Sequence, residues 1–114
     1  MRYMLMICDD ESGRVGPPAE VEADPRFRAW SEEMGRRYGV LRGGARLRPS
    51  SDATTVRVRD DEVLLSDGPF AESKEQMGGF DLIECADLDE AIDVASKHPV
   101  AKFGVIEVRP LWEA

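Results

Sequence analysis

Long apolar runs, cysteines and histidines are scarce in this sequence of 114 residues. The longest uninterrupted apolar run covers only residues 3–8, far short of the roughly 20 residues that a membrane-spanning helix needs. The first residues lack the basic, long apolar and cleavage segments of a secretory signal, so we expect no secretion. Only two cysteines, Cys8 and Cys85, are present. A disulfide framework is therefore not expected, and a pair of reduced thiols in a cytoplasmic protein is the better interpretation.

Basic residues are also few, with 15 bases against 23 acids and a net charge of −8. A nucleic-acid-binding surface and a surface for anionic membranes both need a dense basic face, so neither partner is expected. The single histidine and the two widely separated cysteines do not form a cluster of metal ligands. The paired glycines lie outside any phosphate-binding frame. We therefore predict no metal and no cofactor.

Hydrophobic periodicity predicts one α+β domain over residues 1–114. Asp24 and Pro25 predict the start of a helix, and Gly39 predicts its end. Asp87 begins a capping-box spacing that predicts a second helix. The loop 9–22 is rich in acids, glycine and proline. The predicted elements are strand 1–8, helix 25–38, strand 40–47, a hairpin of strands 54–59 and 62–66, a short helical segment 71–77 ended by Gly78-Gly79, strand 80–85, helix 88–97 and strand 104–109.

This order is two βαβ halves with an inserted β-hairpin, which is the ferredoxin-like, split βαβ arrangement. Two helices cover only one face of a four-stranded sheet. The first strand, however, is apolar on both faces, with Met4, Met6 and Cys8 alternating with Tyr3 and Leu5. We therefore predict that the other face is covered by a second copy of the chain, giving a homodimer packed sheet to sheet.

The segment from Asp67 to Gln76 carries more polar groups than a connecting turn needs. Asp67 ends a predicted strand, and Glu72, Lys74 and Glu75 follow it closely. Two neighbouring carboxyls can differ in pKa and divide the roles of acid and base. The same residues also suit a turn in which Asp67 accepts backbone N–H groups, followed by a solvated helical turn. The residues alone leave both interpretations open.

Two further residues have structural interpretations. Phe70 directly follows the break at Gly68-Pro69, so we expect its ring to anchor the turn to the core. His98 follows the second predicted helix, where the helix dipole favours it, and a structural role there is preferred to a catalytic one.

The stretch Asp67-Gly-Pro-Phe-Ala-Glu-Ser-Lys-Glu-Gln-Met-Gly-Gly-Phe80 closely resembles the signature of the DGPF proteins, which belong to the YCII-related superfamily of small bacterial proteins. The family signature reads D-G-P-F-A-E-T-K-E, and Ser73 replaces the threonine here. The resemblance covers nearly the whole chain outside loop 9–23, including residues 1–8, Gly43-Gly44, 54–59, 87–91 and 107–110.

The resemblance implies a dimeric α/β barrel of ferredoxin-like domains, but it does not imply one reaction. Some YCII relatives use a His/Asp pair in a cleft, and one branch eliminates chloride from a chlorinated hydroxyquinol. The histidine of those relatives lies on the first helix, at a position that falls near Arg28 here. Residues 1–97 of this chain contain no histidine, so that elimination is not expected. Genes of DGPF proteins also lie beside extracytoplasmic-function sigma factors, which suggests a regulatory role.

Two functional hypotheses follow. The first is a small-molecule-binding protein, with its status as an enzyme left open. Its cleft would lie near the signature, with Asp67 and Glu72 as catalytic groups and Lys74 and Arg28 as ligand-binding groups. The alternative is a non-catalytic regulatory module that works with an extracytoplasmic-function sigma factor. A binding site needs a concave, partly apolar cleft with converging polar groups, whereas a module needs an exposed apolar patch outside the dimer contact.

Overall fold

The structure is a computed structural model that describes residues 1–39 and 41–113. A four-stranded sheet, a separate two-stranded hairpin and three α-helices make up the regular elements of these residues. In chain order they are β1 (Arg2–Asp9), α1 (Pro18–Ala23), α2 (Pro25–Tyr38), β2 (Leu41–Arg46), β3 (Thr54–Arg59), β4 (Glu62–Asp67), β5 (Gln76–Glu84), α3 (Leu88–Ser96) and β6 (Val105–Pro110). Within the described ranges, none of the helices has the length and apolar character needed to cross a bilayer.

The main sheet has the strand order β2-β5-β1-β6, and all neighbouring strands are antiparallel. The helices α1 and α2 connect β1 to β2, and α3 connects β5 to β6, so the two βαβ halves interleave in one sheet. The predicted α+β class is confirmed, and this topology is compatible with the predicted ferredoxin-like fold. The predicted hairpin is confirmed as β3 and β4, inserted between the halves.

One face of the sheet packs against the helices and forms the core. The buried side chains include Leu5, Met34, Ile83 and Val94, each exposed by no more than 1%. Burying each such side chain contributes roughly 1.5–3 kcal/mol. The Nε1–H of Trp30 on α2 donates to the carbonyl oxygen of Val94 on α3 at 2.9 Å, which ties the two helices together.

The opposite face of the sheet carries the alternate residues of the same strands. In β1 and β5, Met4 pairs with Leu82 and Met6 pairs with Phe80. These side chains are half-buried. Because they point away from the core, we call the face formed by Met4, Met6, Cys8, Met77, Phe80 and Leu82 the open face.

Residues 54–67 form a hairpin arm whose two strands pair with each other and lie in a sheet of their own. Asp60 and Asp61 join them with φ values of 51° and 63°, as a type I′ turn requires. One face of the arm is apolar and 55–67% exposed, and its members are Val56, Val58, Val63 and Leu65.

Two predicted segments differ from the structure. Residues 18–22 of the predicted loop, together with Ala23, form α1, and a proline is well accommodated at its first position. Residues 71–75 are not helical, since so short a segment without an apolar stripe does not recover the cost of helix nucleation. Gly78 and Gly79 lie inside β5 rather than ending a helix. The predicted start of β2, Val40, lies outside the described residues.

Candidate functional site

A cavity of about 490 Å³ lies between the sheet and the helices α1 and α2. Much of its wall is apolar, with side chains from β1, both helices and the segment after α3: Ile7, Val21, Phe27, Trp30 and Val100. Its polar lining consists of Asp9, Glu22, Arg28, Ser31, Glu32, Arg46, Asp81 and His98. We call this space the helix-side cavity. Its size and mixed lining are those of a small-molecule site.

Asp81 brings a carboxylate to the cavity from the centre of the sheet. It pairs with Leu5 on β1 and with Gly44 on β2, so it points to the helix side. A Cβ at position 44 would lie within 3.0 Å of an Asp81 carboxylate oxygen, so glycine makes room for this carboxylate. Among the described residues no hydrogen-bond donor offsets its desolvation. Burial penalises the charged form and raises the pKa of Asp81 from 3.8 to about 6.

His98 is 2% exposed and packs in T-shaped contact with two aromatic rings. Its ring centroid is 4.5 Å from that of Trp30 and 5.5 Å from that of Phe27. Nδ1 accepts a hydrogen bond from the Val100 N–H at 3.1 Å, so the neutral imidazole carries its proton on Nε2. Every buried side-chain nitrogen or oxygen of the described residues has a hydrogen-bond partner. Nε2 of His98 has no such partner, so this atom is not fully buried and lies at the cavity surface.

The expectation that the helix dipole stabilises His98 is wrong. The imidazole is the N-cap of a 3₁₀ turn, Pro99–Lys102, rather than an exposed group at the end of α3. A favourable dipole would raise the pKa of the histidine. Burial instead lowers the pKa of His98 to about 4, because the cation loses its hydration.

The two arginines of the cavity are already engaged with backbone carbonyls. Arg46 donates to the carbonyl oxygens of Val15 and Gly16, both at 3.3 Å, and to that of Gly78. Arg28 donates to the Glu22 carbonyl oxygen at 3.2 Å. These bonds tie the segment before α2 to β2 and to α2 itself.

Arg28 is the one predicted site residue that lines the helix-side cavity. Asp67, Glu72 and Lys74 are exposed and line neither this cavity nor a second, more open depression of about 660 Å³ beside the signature. The structure therefore does not bring the four predicted residues together, and their roles stay predictions.

The signature turn is held by backbone geometry. Gly68 has a φ of 90°, which favours glycine. Its N–H donates to the Ala53 carbonyl oxygen at 2.7 Å, and the Thr55 hydroxyl donates to the Gly68 carbonyl oxygen at 2.8 Å. The expectation that Phe70 anchors this turn to the core is wrong, because its side chain is 82% exposed. Phe70 lines the second depression, on the surface.

Sequence reasoning missed Asp81 entirely. It gave His98 a structural role, which agrees with its cap on the Pro99–Lys102 turn, but it did not place His98 at a cavity. A signal for Asp81 was present, since it is the one charge between apolar residues in Phe80-Asp-Leu-Ile83 and glycines occupy the neighbouring strand. In the part of the chain that the structure describes, no group of three His, Cys, Asp or Glu side chains is placed to hold a metal ion. The cavity instead combines an unpaired carboxylate with an imidazole N–H donor, an arrangement suited to binding polar groups and moving a proton.

Comparison with known proteins gives the same family over the whole chain. The model of the YCII-related domain matches residues 1–114. An uncharacterized protein of Rhizobium meliloti (strain 1021) is 42% identical over 116 aligned residues, which cover 97% of this chain and 92% of that protein. Taken with the interleaved βαβ halves, these matches show that the chain belongs to the YCII-related domain family.

Proposed function

We propose that this YCII-related protein binds a small organic molecule in the helix-side cavity. The observation that carries the proposal is the cavity itself, about 490 Å³ in volume, with the unpaired carboxylate of Asp81 and the Nε2 atom of His98 at an otherwise largely apolar surface. Sites for small molecules are typically concave and apolar with a few placed polar groups.

Proton transfer is the chemistry that suits these groups. A carboxyl with a pKa of about 6 is largely ionised at pH 7 and accepts a proton more readily than an ordinary aspartate. The neutral imidazole of His98 donates from Nε2. Asp81 is therefore our candidate for a general base if the bound molecule reacts. Asp67 and Glu72 keep their proposed catalytic roles only if a partner completes a cleft around them.

The cavity is tested by blocking it. Ser31 on α2 lines the cavity, whereas the exposed Ala29 on the same helix does not. We expect a fragment library to shift the amide NMR signals of Phe27, Trp30 and His98 in the wild type and in Ala29→Trp. The same shifts should be absent in Ser31→Trp. Fragment binding that survives in Ser31→Trp, or that maps to another surface, would contradict the proposal.

A homodimer is the second part of the proposal. The half-buried apolar side chains of the open face support it, as does the exposed Phe70. Light scattering at micromolar concentration should give twice the 12.7 kDa mass of the chain. Met6→Asp should give monomers or unfold, because an unpaired buried carboxylate costs several kcal/mol. A wild-type monomer would refute this part.

The alternative, a regulatory module for an extracytoplasmic-function sigma factor, is favoured by the hairpin arm. The apolar face of the arm is exposed in the single chain and lies outside the main sheet. Val58→Ser combined with Leu65→Ser should abolish co-elution with a purified sigma factor while the homodimer persists. If the double variant instead lost the homodimer, the hairpin arm would belong to the contact between the two copies of the chain.

We propose a cytoplasmic location on the basis of the two cysteine thiols. Cys8 and Cys85 are free in the structure, and free thiols of this kind are typical of a reducing compartment. Fractionation of cells that express the tagged chain tests this location.

A further inference from the structure

We infer that the helix-side cavity selects a protonated amine on an apolar body, with the ammonium group on Asp81 and an acceptor atom of the same molecule on the Nε2–H of His98. This inference rests on the proposed function, because it specifies the class of molecule that the same cavity binds.

The charge of the lining favours a cation. Four carboxylates line the cavity against two guanidinium groups: Asp9, Glu22, Glu32 and Asp81 against Arg28 and Arg46. Both arginines already donate to backbone carbonyl oxygens, which leaves fewer of their N–H groups for an anionic ligand. The chain as a whole carries a net charge of −8, so its field also attracts cations.

Asp81 is the carboxylate best placed to receive the ammonium group. One oxygen of Asp9 already accepts the Glu11 N–H at 2.9 Å, whereas none of the described residues donates to Asp81. A carboxylate in a largely apolar cavity has lost water without gaining a partner, and this cost is recovered when a charged donor binds. The missing side chain of Gly44 makes room for the carboxylate itself, because a Cβ there would lie within 3.0 Å of Oδ1 of Asp81.

His98 supplies the second point of recognition. Its Nδ1 accepts the Val100 N–H, and T-shaped contacts with Trp30 and Phe27 restrict the ring. The orientation of Nε2–H is therefore set before a ligand arrives, and a donor held in this way needs an acceptor on the ligand. The aromatic side chains and Val21 provide apolar surface for the body of the molecule.

Binding should be linked to proton release. The titratable and charged groups that line the cavity with Asp81 are Asp9 from β1, Arg46 from β2, Glu22 from α1, Arg28 and Glu32 from α2, and His98. In the free protein the pKa of Asp81 is about 6. A bound ammonium favours the ionised carboxylate and lowers this pKa. At pH 6 an amine should therefore displace about half a proton per molecule bound, and at pH 8 almost none.

Three probes of matched size test the inference: 2-phenylethylamine, 2-phenylethanol and 3-phenylpropionate. The protein carries Trp112→Phe, which removes the 97% exposed tryptophan and leaves Trp30, in the cavity wall, as the fluorescent reporter. We expect the amine to bind about 10- to 100-fold more tightly than the alcohol, as a charge-assisted hydrogen bond predicts, and the acid to bind least. Equal binding of the three would overturn the inference and leave the proposed function standing. No binding by any of the three probes would also overturn the inference, and the fragment screen with Ser31→Trp would then decide the proposed function separately.

Substitutions test whether Asp81 is the group that causes the preference for the amine. Asp81→Asn should remove the preference for the amine and leave binding of the alcohol within about threefold, whereas Asp61→Asn at the tip of the hairpin arm should change neither. Titration calorimetry of the wild type in two buffers of different ionisation enthalpy measures the released proton and does not depend on the variant folding. An amine that binds at pH 6 without proton release, or that binds Asp81→Asn as tightly as the wild type, would refute the role of Asp81.

Discussion

Asp81 should make the protein less stable as pH rises, because its carboxyl is partly buried and desolvation penalises its charged form. The folded pKa of about 6 lies above the ordinary value of 3.8. Below pH 3.8 the carboxyl is neutral in both states and has no effect. Between pH 3.8 and pH 6 the carboxyl of Asp81 is ionised in the unfolded chain but remains protonated in the folded chain, so unfolding becomes easier as pH rises. At 1.36 kcal/mol per pKa unit, the full cost at neutral pH is at most about 3 kcal/mol.

His98 should act in the opposite direction over nearly the same range. Its folded pKa of about 4 lies below the ordinary value of 6.5. Above pH 6.5 the ring is neutral in both states. As pH falls below 6.5, His98 is protonated in the unfolded chain but stays neutral in the folded chain, so the folded state loses stability. The loss reaches about 3 kcal/mol once pH is below 4. In the wild type the two effects largely cancel.

Single substitutions should expose each half of this balance. Between pH 4.5 and pH 7, the unfolding free energy of Asp81→Asn relative to the wild type should rise by about 2 kcal/mol. Over the same pH range, the unfolding free energy of His98→Asn relative to the wild type should fall by a similar amount. Asn keeps an acceptor for the Val100 N–H, and any loss of packing adds a constant that does not depend on pH.

The measurement is urea unfolding at several pH values, followed by Trp30 fluorescence in the Trp112→Phe background. Asp61→Asn, which removes an exposed carboxylate at the hairpin tip, serves as the control and should track the wild type. A relative stability of Asp81→Asn that does not change with pH would refute the desolvation argument. If both variants lost stability most strongly near pH 5, the two side chains would form an ion pair, and the neutral assignment of His98 would be wrong.

Three other substitutions test the packing around the cavity and the geometry of the signature turn, each by chemical unfolding. Gly44→Ala should destabilise the protein by roughly 1–3 kcal/mol, because its Cβ would lie within 3.0 Å of the Phe80 carbonyl oxygen and of Asp81. An unchanged unfolding midpoint would show that the strand shifts freely. Gly68→Ala should cost about 1–2 kcal/mol at its φ of 90°, and a neutral effect would contradict the strain expected there. Trp30→Phe should cost about 1–3 kcal/mol by leaving the Val94 carbonyl oxygen without its donor, unless water replaces the indole.

Several elements were predictable because their signals are local. Helix α2 spans residues 25–38 as predicted, since Asp24 caps it by accepting the Arg26 N–H at 2.8 Å and Gly39 ends it with a φ of 63°. The hairpin also agrees with prediction to within one residue, because β-branched alternation and two adjacent aspartates specify a tight turn. In each case the deciding contacts lie within a few residues along the chain.

The helix-side cavity was not predictable in the same way. The signature drew attention to residues 67–76 because polar groups cluster there along the chain. Asp81 lies between Phe80 and Leu82, and His98 follows Lys97 far along the chain, so neither belongs to a polar cluster like that of the signature. They come to one cavity only because β5 pairs with β1 and β2 in a particular register and because the chain after α3 turns back toward α2.

The sequence by itself determined the family, the α+β class and the helix and hairpin signals, because caps, turn residues and periodicity act between near neighbours. The family match also follows from sequence alone. Only the tertiary structure decided that Asp81 faces the space left by Gly44, and that His98 is buried and neutral with Nε2 at the same cavity. Burial and strand register are properties of the folded chain, and a carboxyl acquires a raised pKa only when other segments remove its water.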